Sequence, residues 1–372
     1  MKGKQKRDEE KRRFQVEETR ITGMLNFIVF LAVAAVAYTD WLVIPNVSLG
    51  YLYVLPIAVS ALVNRPPITI ALAVGCTVLQ DLFFGTLPET LEVRIFRNAI
   101  TLIGFLVVGF LVTLIARQRN RLIAEVRRQR DEYERDLLLA AQVQRQVLPK
   151  PPVCPDLELA AAMQTAQLLG GDYYDFFQIS ENIVDVVIAD VSGHGAAASL
   201  LMPSLAVALR LRARELSGPA AILKDLDQVL QQVTNSATFV TMFYARFDQA
   251  NKTLQYANGG HNPPLLLRSK CGQSVQLEAG GPIMGILKDA QFTNTVVVLD
   301  PGDILTLFTD GVTEQENEAG EEYSVSRLEE VVRSKQTEPA AALVADVTEA
   351  VSTFAGTKAQ ADDLTVVVVK IL

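Results

Sequence analysis

Two stretches of this chain, residues 21–39 and 98–116, each run 19 residues without a charged side chain. That is about the length of helix needed to cross the hydrocarbon core of a bilayer. A membrane-spanning region is therefore the strongest constraint on the fold. Between the two runs lie residues 46–63, containing Tyr51, Tyr53 and Pro56, and residues 67–84, interrupted only by Asp81. The gaps at Pro45-Asn46, Arg65-Pro66-Pro67 and residues 85–97 hold turn formers and charges, which predicts about four transmembrane helices within residues 21–116. Of the 372 residues, 49% are hydrophobic, and mean hydropathy is +0.23, which excludes a wholly disordered chain.

Basic residues set the expected orientation. Eight Lys and Arg occupy the leader, residues 1–20, and Arg117, Arg119, Arg121, Arg127, Arg128 and Arg130 follow the last apolar run. Basic flanks stay in the cytoplasm, so a multi-pass protein of the inner or plasma membrane is expected, with its N-terminus and C-terminal portion cytoplasmic. Arg94 and Arg97 fall on the other side and run against this count. Ala35-Val36-Ala37 after a basic leader also fits a cleaved signal peptide, but that reading leaves three further apolar blocks unexplained.

Charge is divided unevenly. Residues 1–148 carry 19 basic and 14 acidic side chains, and residues 149–372 carry 15 and 28. So acidic a C-terminal portion repels phosphate backbones, which argues against a nucleic-acid partner, while it suits divalent cations. Cys76, Cys154 and Cys271 are too scattered for a zinc knuckle or a disulfide framework, which fits a reducing compartment.

Residues 117–148 read as a linker helix without Gly or Pro, closed by Pro149, Pro151 and Pro152. Leu122, Val126, Tyr133, Ala140, Val143 and Val147 recur at alternating threes and fours, interrupted by Gln129 and Asp136. A dimeric coiled coil and a solvated connector with one apolar face both fit this pattern. Residues 149–372 form a domain of a different kind. Strand-like runs are predicted at residues 183–189, 239–247, 253–257, 264–267, 295–299, 304–308 and 364–371, with helices at 196–216, 220–233, 326–334 and 340–354. Strands in hairpin succession predict an α+β fold with antiparallel pairing.

Aspartates at strand ends carry the chemistry. Asp172 lies in Gly170-Gly171-Asp172-Tyr173-Tyr174-Asp175; Asp190 ends one apolar run and opens Asp190-Val191-Ser192-Gly193-His194-Gly195. Asp310 ends another run before Gly311, and Asp362-Asp363 precedes a run containing four valines. Carboxylates at the mouths of buried strands are costly unless a positive charge sits beside them, and none of these loops contains Lys or Arg. Hard divalent cations with oxygen ligands resolve that repulsion, and Mg²⁺ or Mn²⁺ suits the set better than Zn²⁺. Taken singly, each Asp is equally well a turn or cap residue. The two histidines, His194 and His261, both sit in glycine-flanked loops; general acid and loop cap are both open to them. Tyr173, Tyr174, Phe176 and Phe177 read as packing. Gly193 and Gly195 offer amides to an anion only weakly, and Pro203 is expected to kink its helix.

These blocks, in the order AAQVQRQVLP, GGDYYD, DVSGHG, FVTMFYARFD, GGHNPP, LFTDGVTE and ADDLTV, resemble the metal-dependent PPM serine/threonine phosphatases (protein phosphatase 2C-like), in particular the bacterial SpoIIE/RsbU branch. The resemblance runs from about residue 138 to 372. It implies a two-sheet antiparallel β-sandwich flanked by helices, with two divalent cations, Mn²⁺ or Mg²⁺, between the sheets. By position, Asp190 bridges both ions, Val191 lends its backbone carbonyl, and Asp172, Asp310 and the Asp362-Asp363 pair complete the ligand set, Asp362 being preferred over Asp363. The implied catalytic pair is Asp190 and His194. The implied substrate is a phosphoserine or phosphothreonine protein such as an anti-sigma-factor antagonist, and the implied transmitter is the linker helix, paired in a homodimer. Asn258-Gly259-Gly260-His261 departs from the usual Ala-Gly-His, and no phosphate-gripping arginine is identifiable.

Three other readings compete. A membrane-linked nucleotide cyclase also uses paired aspartates and two metals, but no purine-selecting pattern is found; a histidine kinase lacks a helical His followed by a nucleotide loop. A non-catalytic PPM-like partner-binding domain is disfavoured because every ligand position carries Asp.

Overall fold

The computed structural model describes residues 2–42, 50–84, 90–193, 196–216, 218–233 and 238–372. The chain divides into two compact units, Met1–Glu132 and Tyr133–Leu372.

The first unit is helical: α1 (Lys2–Leu42), a 3₁₀ turn (Gly50–Tyr53), α2 (Val54–Val63), α3 (Pro66–Phe84) and the first part of α4 (Leu91–Val147). Arg20–Leu42 and Leu91–Val147 are long and apolar enough to cross a membrane; Gly50–Val63 and Pro66–Leu82 are shorter apolar helices. Pro66 opens α3 at the position where its missing N–H costs nothing. Tyr53, Ile57, Ala73, Cys76 and Phe105 form a small core. Phe27, Phe30, Trp41, Leu82 and Phe110 are instead exposed on the outside of the helices, an arrangement suited to a lipid surround. Asp81 of α3 pairs with Arg94 at 2.6 Å and Arg97 at 3.1 Å, both on α4. The two arginines that run against the orientation count are therefore partly neutralised. α4 continues without a break from the apolar run into the predicted linker, so the two are one helix.

The second unit contains β1 (Leu157–Gln164), β2 (Asp172–Gln178), β3 (Ile183–Val191), α5 (Ala196–Glu215), α6 (Pro219–Val233), β4 (Val240–Asp248), β5 (Thr253–Gly259), β6 (Leu265–Leu267), β7 (Ser274–Gln276), β8 (Gly280–Gly281), β9 (Thr295–Val298), β10 (Ile304–Phe308), α7 (Asp310–Thr313), α8 (Ser324–Ser334), α9 (Ala340–Ala355) and β11 (Leu364–Ile371). One sheet runs β1-β11-β10-β6-β7. The other runs β2-β3-β4-β5-β8, with β9 also on β5. Every pairing between named strands is antiparallel except β5 with β8.

Alternation along the strands builds the layers. Val184, Val186 and Ile188 of β3 join Val367, Val369 and Ile371 of β11 in the core between the sheets. The alternate residues Val187, Ala189 and Val191 pack under α5 and α6. Val366 and Val368 pack on the other outer face with residues of α8 and α9. Both faces of the central strands are thus buried, which is why their sequences are mostly apolar, the buried Asp185 of β3 excepted. The predicted strands and helices are present to within a few residues, and α5 runs through Pro203. Strands β1, β2, β7 and β8 were not expected from the sequence.

Candidate metal centre

The sandwich brings the aspartates together from four separate segments. Asp172 opens β2 directly opposite Asp190 near the end of β3, as a register pair. Asp310 follows β10, and Asp362-Asp363 immediately precedes β11. Strands β2 and β3 belong to one sheet and β10 and β11 to the other, so the cluster lies where corresponding ends of the two sheets meet.

Threonines from one sheet hold the aspartate of the other. Asp172 is buried, and its Oδ2 accepts hydrogen bonds from Thr309 Oγ1 at 2.9 Å and Thr365 Oγ1 at 2.5 Å. The threonines are themselves joined, Thr309 N–H donating to the Thr365 carbonyl at 3.1 Å and Thr365 N–H to Thr309 Oγ1 at 3.0 Å. Asp363 is engaged differently. Its Oδ1 accepts from Ala166 N–H at 2.8 Å and its Oδ2 from Gly171 N–H at 2.7 Å. Asp362 is exposed, and its Oδ1 accepts from the Asp363 N–H at 2.7 Å. Adjacent residues entering a strand project to opposite sides; here one carboxylate staples the loops and its neighbour remains available.

The electrostatics match a site built for positive charge. Burial, then the neighbouring Asp190, pushes the Asp172 carboxyl well above the usual range. Burial, then Asp310, Asp362 and Asp363, pushes Asp190 up to about 7. Asp310 is raised by burial and by Asp362, and Asp363 by burial against the opposing pull of its backbone donors. Among the described residues no Lys or Arg forms a salt bridge with any of the five. By contrast, the buried Asp175 and Asp185 each have an arginine, Arg210 at 2.9 Å and Arg246 at 2.7 Å. These two aspartates therefore each have a cation, as the five of the cluster, among the described residues, do not.

Among the described residues no three His, Cys, Asp or Glu side chains close into a finished ligand cage. The donor set nonetheless fits hard divalent cations: only carboxylate and carbonyl oxygens, with nitrogen and sulfur absent. The Val191 carbonyl lies beside Gly171, where a Cβ would sit 2.8 Å from it.

The histidines separate. His194 lies outside the described residues. His261 is buried; its Nδ1 pairs with Thr241 Oγ1 at 2.8 Å, its backbone N–H donates to Asn258 Oδ1 at 2.7 Å, and burial lowers its ring to about 4. Such a ring is neutral at physiological pH, which removes His261 as a general acid and leaves the loop-cap reading. Tyr173, Tyr174, Phe176 and Phe177 are all buried, as packing residues should be. Thr309 and Thr365 are the participants that sequence reasoning missed; their roles are defined by contacts, and only the adjacency of each to an aspartate motif hinted at them.

Comparison with known proteins agrees with the two-sheet fold. Residues 180–372 match the family described as Stage II sporulation protein E (SpoIIE), and residues 22–135 match a domain of unknown function, DUF4118. The chain is 33% identical over 215 residues to phosphoserine phosphatase RsbU of Bacillus subtilis, a match covering 55% of this chain and 64% of that protein. It is 30% identical over 183 residues to phosphoserine phosphatase RsbP of the same organism, covering 48% and 45%. The chain thus spans less than two thirds of the length of these curated relatives. Among solved structures, the SiaA-PP2C domain of Pseudomonas aeruginosa superposes with a TM-score of 0.58 at 20% identity, covering 66% of this chain and 99% of that one. The RsbU and RsbW domains of a Mycobacterium tuberculosis protein give 0.52 at 26% identity, covering 60% and 62%. The two-sheet fold is shared with both.

Proposed function

Because the chain belongs to the Stage II sporulation protein E (SpoIIE) family, we propose that it is a membrane-anchored, metal-dependent phosphatase acting on phosphoserine or phosphothreonine in a signalling protein. The observation that carries this reading is the convergence of Asp172, Asp190, Asp310 and Asp362 with no salt bridge to a cationic side chain among the described residues.

In this reading Asp172, Asp190, Asp310, Asp362 and the Val191 carbonyl would hold two divalent cations. Bound there, Mn²⁺ or Mg²⁺ supplies Lewis-acid activation of water and phosphate. The chain's own groups do the rest. Thr309 and Thr365 fix the rotamer of Asp172 through their hydroxyl donors. Asp363 holds the loops at Ala166 and Gly171 so that its neighbour Asp362 faces the centre. His194 is assigned the proton donated to the departing serine oxygen, a role His261 is too buried to fill.

The substrate class we assign is a phosphorylated anti-sigma-factor antagonist. Support comes from the likeness to RsbU and RsbP and from the acidity of residues 149–372, which disfavours nucleic acid. Residues 1–20 form a cytoplasmic leader, 21–116 the membrane region, 117–148 the signalling helix and 149–372 the phosphatase domain. Two long apolar helices and the basic leader support a multi-pass plasma-membrane location with both ends cytoplasmic. Exposed Leu122, Val126, Tyr133 and Val143 on α4 support a homodimer through that helix.

The test is Mn²⁺-dependent phosphate release from a phosphoserine antagonist protein by the full chain in lipid nanodiscs. Release that depends on Mn²⁺ and on Asp190 supports the reading; cyclic nucleotide formed from ATP or GTP, or no phosphate release at all, defeats it.

A further inference from the structure

A cleft opens between two helices of the first unit and carries positive charge at one end only. Asp81, near the end of α3, pairs with Arg94 and Arg97 near the start of α4. Thr69, near the start of α3, packs beside Gly109 further along α4, where a Cβ would lie 3.2 Å from Thr69 Cγ2. The two helices therefore run antiparallel. Beside this contact lies a cleft of about 410 Å³, a size common among ligand sites, that follows α4 from Phe105 to Arg117. At a rise of about 1.5 Å per residue, residues 105–117 span about 18 Å. That is a little more than one leaflet of a hydrocarbon core about 30 Å thick.

The lining selects what can enter. Ile70, Phe105, Leu106 and Leu114 make the walls apolar. The two hydroxyls are already engaged: Thr113 Oγ1 donates to the Gly109 carbonyl at 2.7 Å, and the buried Thr69 Oγ1 lies 3.4 Å from Ser60 Oγ. What remains for a polar ligand group is Arg117, exposed at the end where α4 leaves its apolar run. Among the described residues Arg117 forms no salt bridge. No Asp or Glu occurs in residues 50–80 or 93–124, so the helix segments that form the cleft hold no carboxylate to pair with it. Arg65, exposed beside Pro66 at the same end, adds a second charge of the same sign.

An apolar slot with a guanidinium at its mouth suits an amphiphile with a hydrocarbon body and an anionic head. Left void, the slot would forfeit dispersion contacts along both walls, and basic pockets between transmembrane helices on the cytoplasmic side take anionic headgroups. Resting on the membrane reading above, we propose that the α3–α4 cleft is a binding site for one anionic phospholipid of the cytoplasmic leaflet, its acyl chain lying along Phe105, Leu106 and Thr113 and its phosphate on Arg117.

The experiment places the full chain in nanodiscs of phosphatidylcholine with a minor share of phosphatidylglycerol, and counts by native mass spectrometry the lipids that stay on the chain when the disc is stripped. A single phosphatidylglycerol should be retained in preference to phosphatidylcholine. Arg117→Gln should cut that preference by about fivefold, the worth of one arginine near an anionic surface, and Arg117→Lys should keep most of it. Thr113→Phe puts a ring into the cleft without breaking a bond between helices, and should cut retention of both lipids. Ile70→Trp, at an exposed position on the opposite wall, should do the same and serves where Thr113→Phe melts early. Retention indifferent to the headgroup, or unchanged by the filling variant in a folded chain, overturns the site. So do disulfide-linked dimers formed by Ile70→Cys and absent from the unsubstituted chain, since the cleft would then be a contact between copies. All of these results leave the membrane reading standing; a chain that washes out of membranes at alkaline pH defeats that reading itself.

Discussion

Asp172 and Asp190 face each other as a register pair across the antiparallel strands β2 and β3. Like charges directly opposite on neighbouring strands destabilise a sheet, and among the described residues no arginine or lysine forms a salt bridge with this pair, so the arrangement costs stability in the metal-free protein.

That cost gives the first prediction its sign. Asp190→Asn removes one of the two charges, so the metal-free protein should be at least as stable as the unsubstituted one. Mn²⁺-dependent phosphate release should fall by more than the roughly 100-fold that loss of an outer partner costs. Thermal melts without metal and phosphate-release assays with it check the two halves. A variant that melts earlier yet keeps its activity would mean that Asp190 is a structural residue.

How much of this was legible beforehand varies with how local the signal is. β3, β10 and β11 were visible because strands buried on both faces are mostly apolar, and the aspartates at their ends stood out for the same reason. β2 was hidden: Asp172 and Asp175 break its apolar run, and Asp175 is tolerable only because Arg210 of α5 reaches it from 35 positions away. β1 was hidden by its alanines, which favour helix as readily as strand. The division of labour between Asp362 and Asp363 was not decidable from a tandem pair, because it depends on the Ala166 and Gly171 amides, nearly 200 residues distant in sequence. Gln144 stood inside the AAQVQRQVLP block, but its bonds to Gly170, 26 positions on, are set by the fold.

His261 predicts a pH dependence. Its ring is lowered to about 4 in the fold and returns to about 6.5 when unfolded. The unfolded chain therefore binds the extra proton first, and the stability associated with the neutral ring is complete above about 6.5 and lost as pH falls towards 4. His261→Gln should lack that loss. Denaturation of both proteins in detergent between pH 7.5 and 4.5 measures it as a difference, in which the contributions of the carboxylates cancel. Parallel curves for the two proteins would show that His261 is not held neutral.

Arg246 should matter more than its partly solvent-facing position suggests. It donates to both oxygens of the fully buried Asp185, at 2.8 and 2.7 Å, and to the Ala213 carbonyl at 3.1 Å, while Tyr244 donates to the same carboxylate. Arg246→Met leaves that carboxylate buried with a single neutral donor. Breaking a buried pair from one side costs about 3–5 kcal/mol, so urea denaturation should show a loss of that order. Adding Asp185→Asn to the same chain should recover part of it, since the uncompensated charge is then gone. A double variant less stable than Arg246→Met alone would contradict this account.

Gly311 separates packing from ligand chemistry. It follows Asp310 directly, and a Cβ built on it would lie 2.0 Å from the Asp363 carbonyl oxygen and 2.8 Å from the carbonyl carbon. The obstruction is backbone, which cannot swing aside as a flexible side chain would, so Gly311→Ala must push the Asp362-Asp363 turn away from Asp310. Overpacking of this kind costs about 1–3 kcal/mol, and no liganding atom is removed. Mn²⁺ affinity should nonetheless fall, because the spacing of Asp310 and Asp362 is what changes. Calorimetric titration beside a denaturation curve distinguishes the outcomes: lower stability with undiminished Mn²⁺ affinity would mean that the distance between those two carboxylates does not govern the centre.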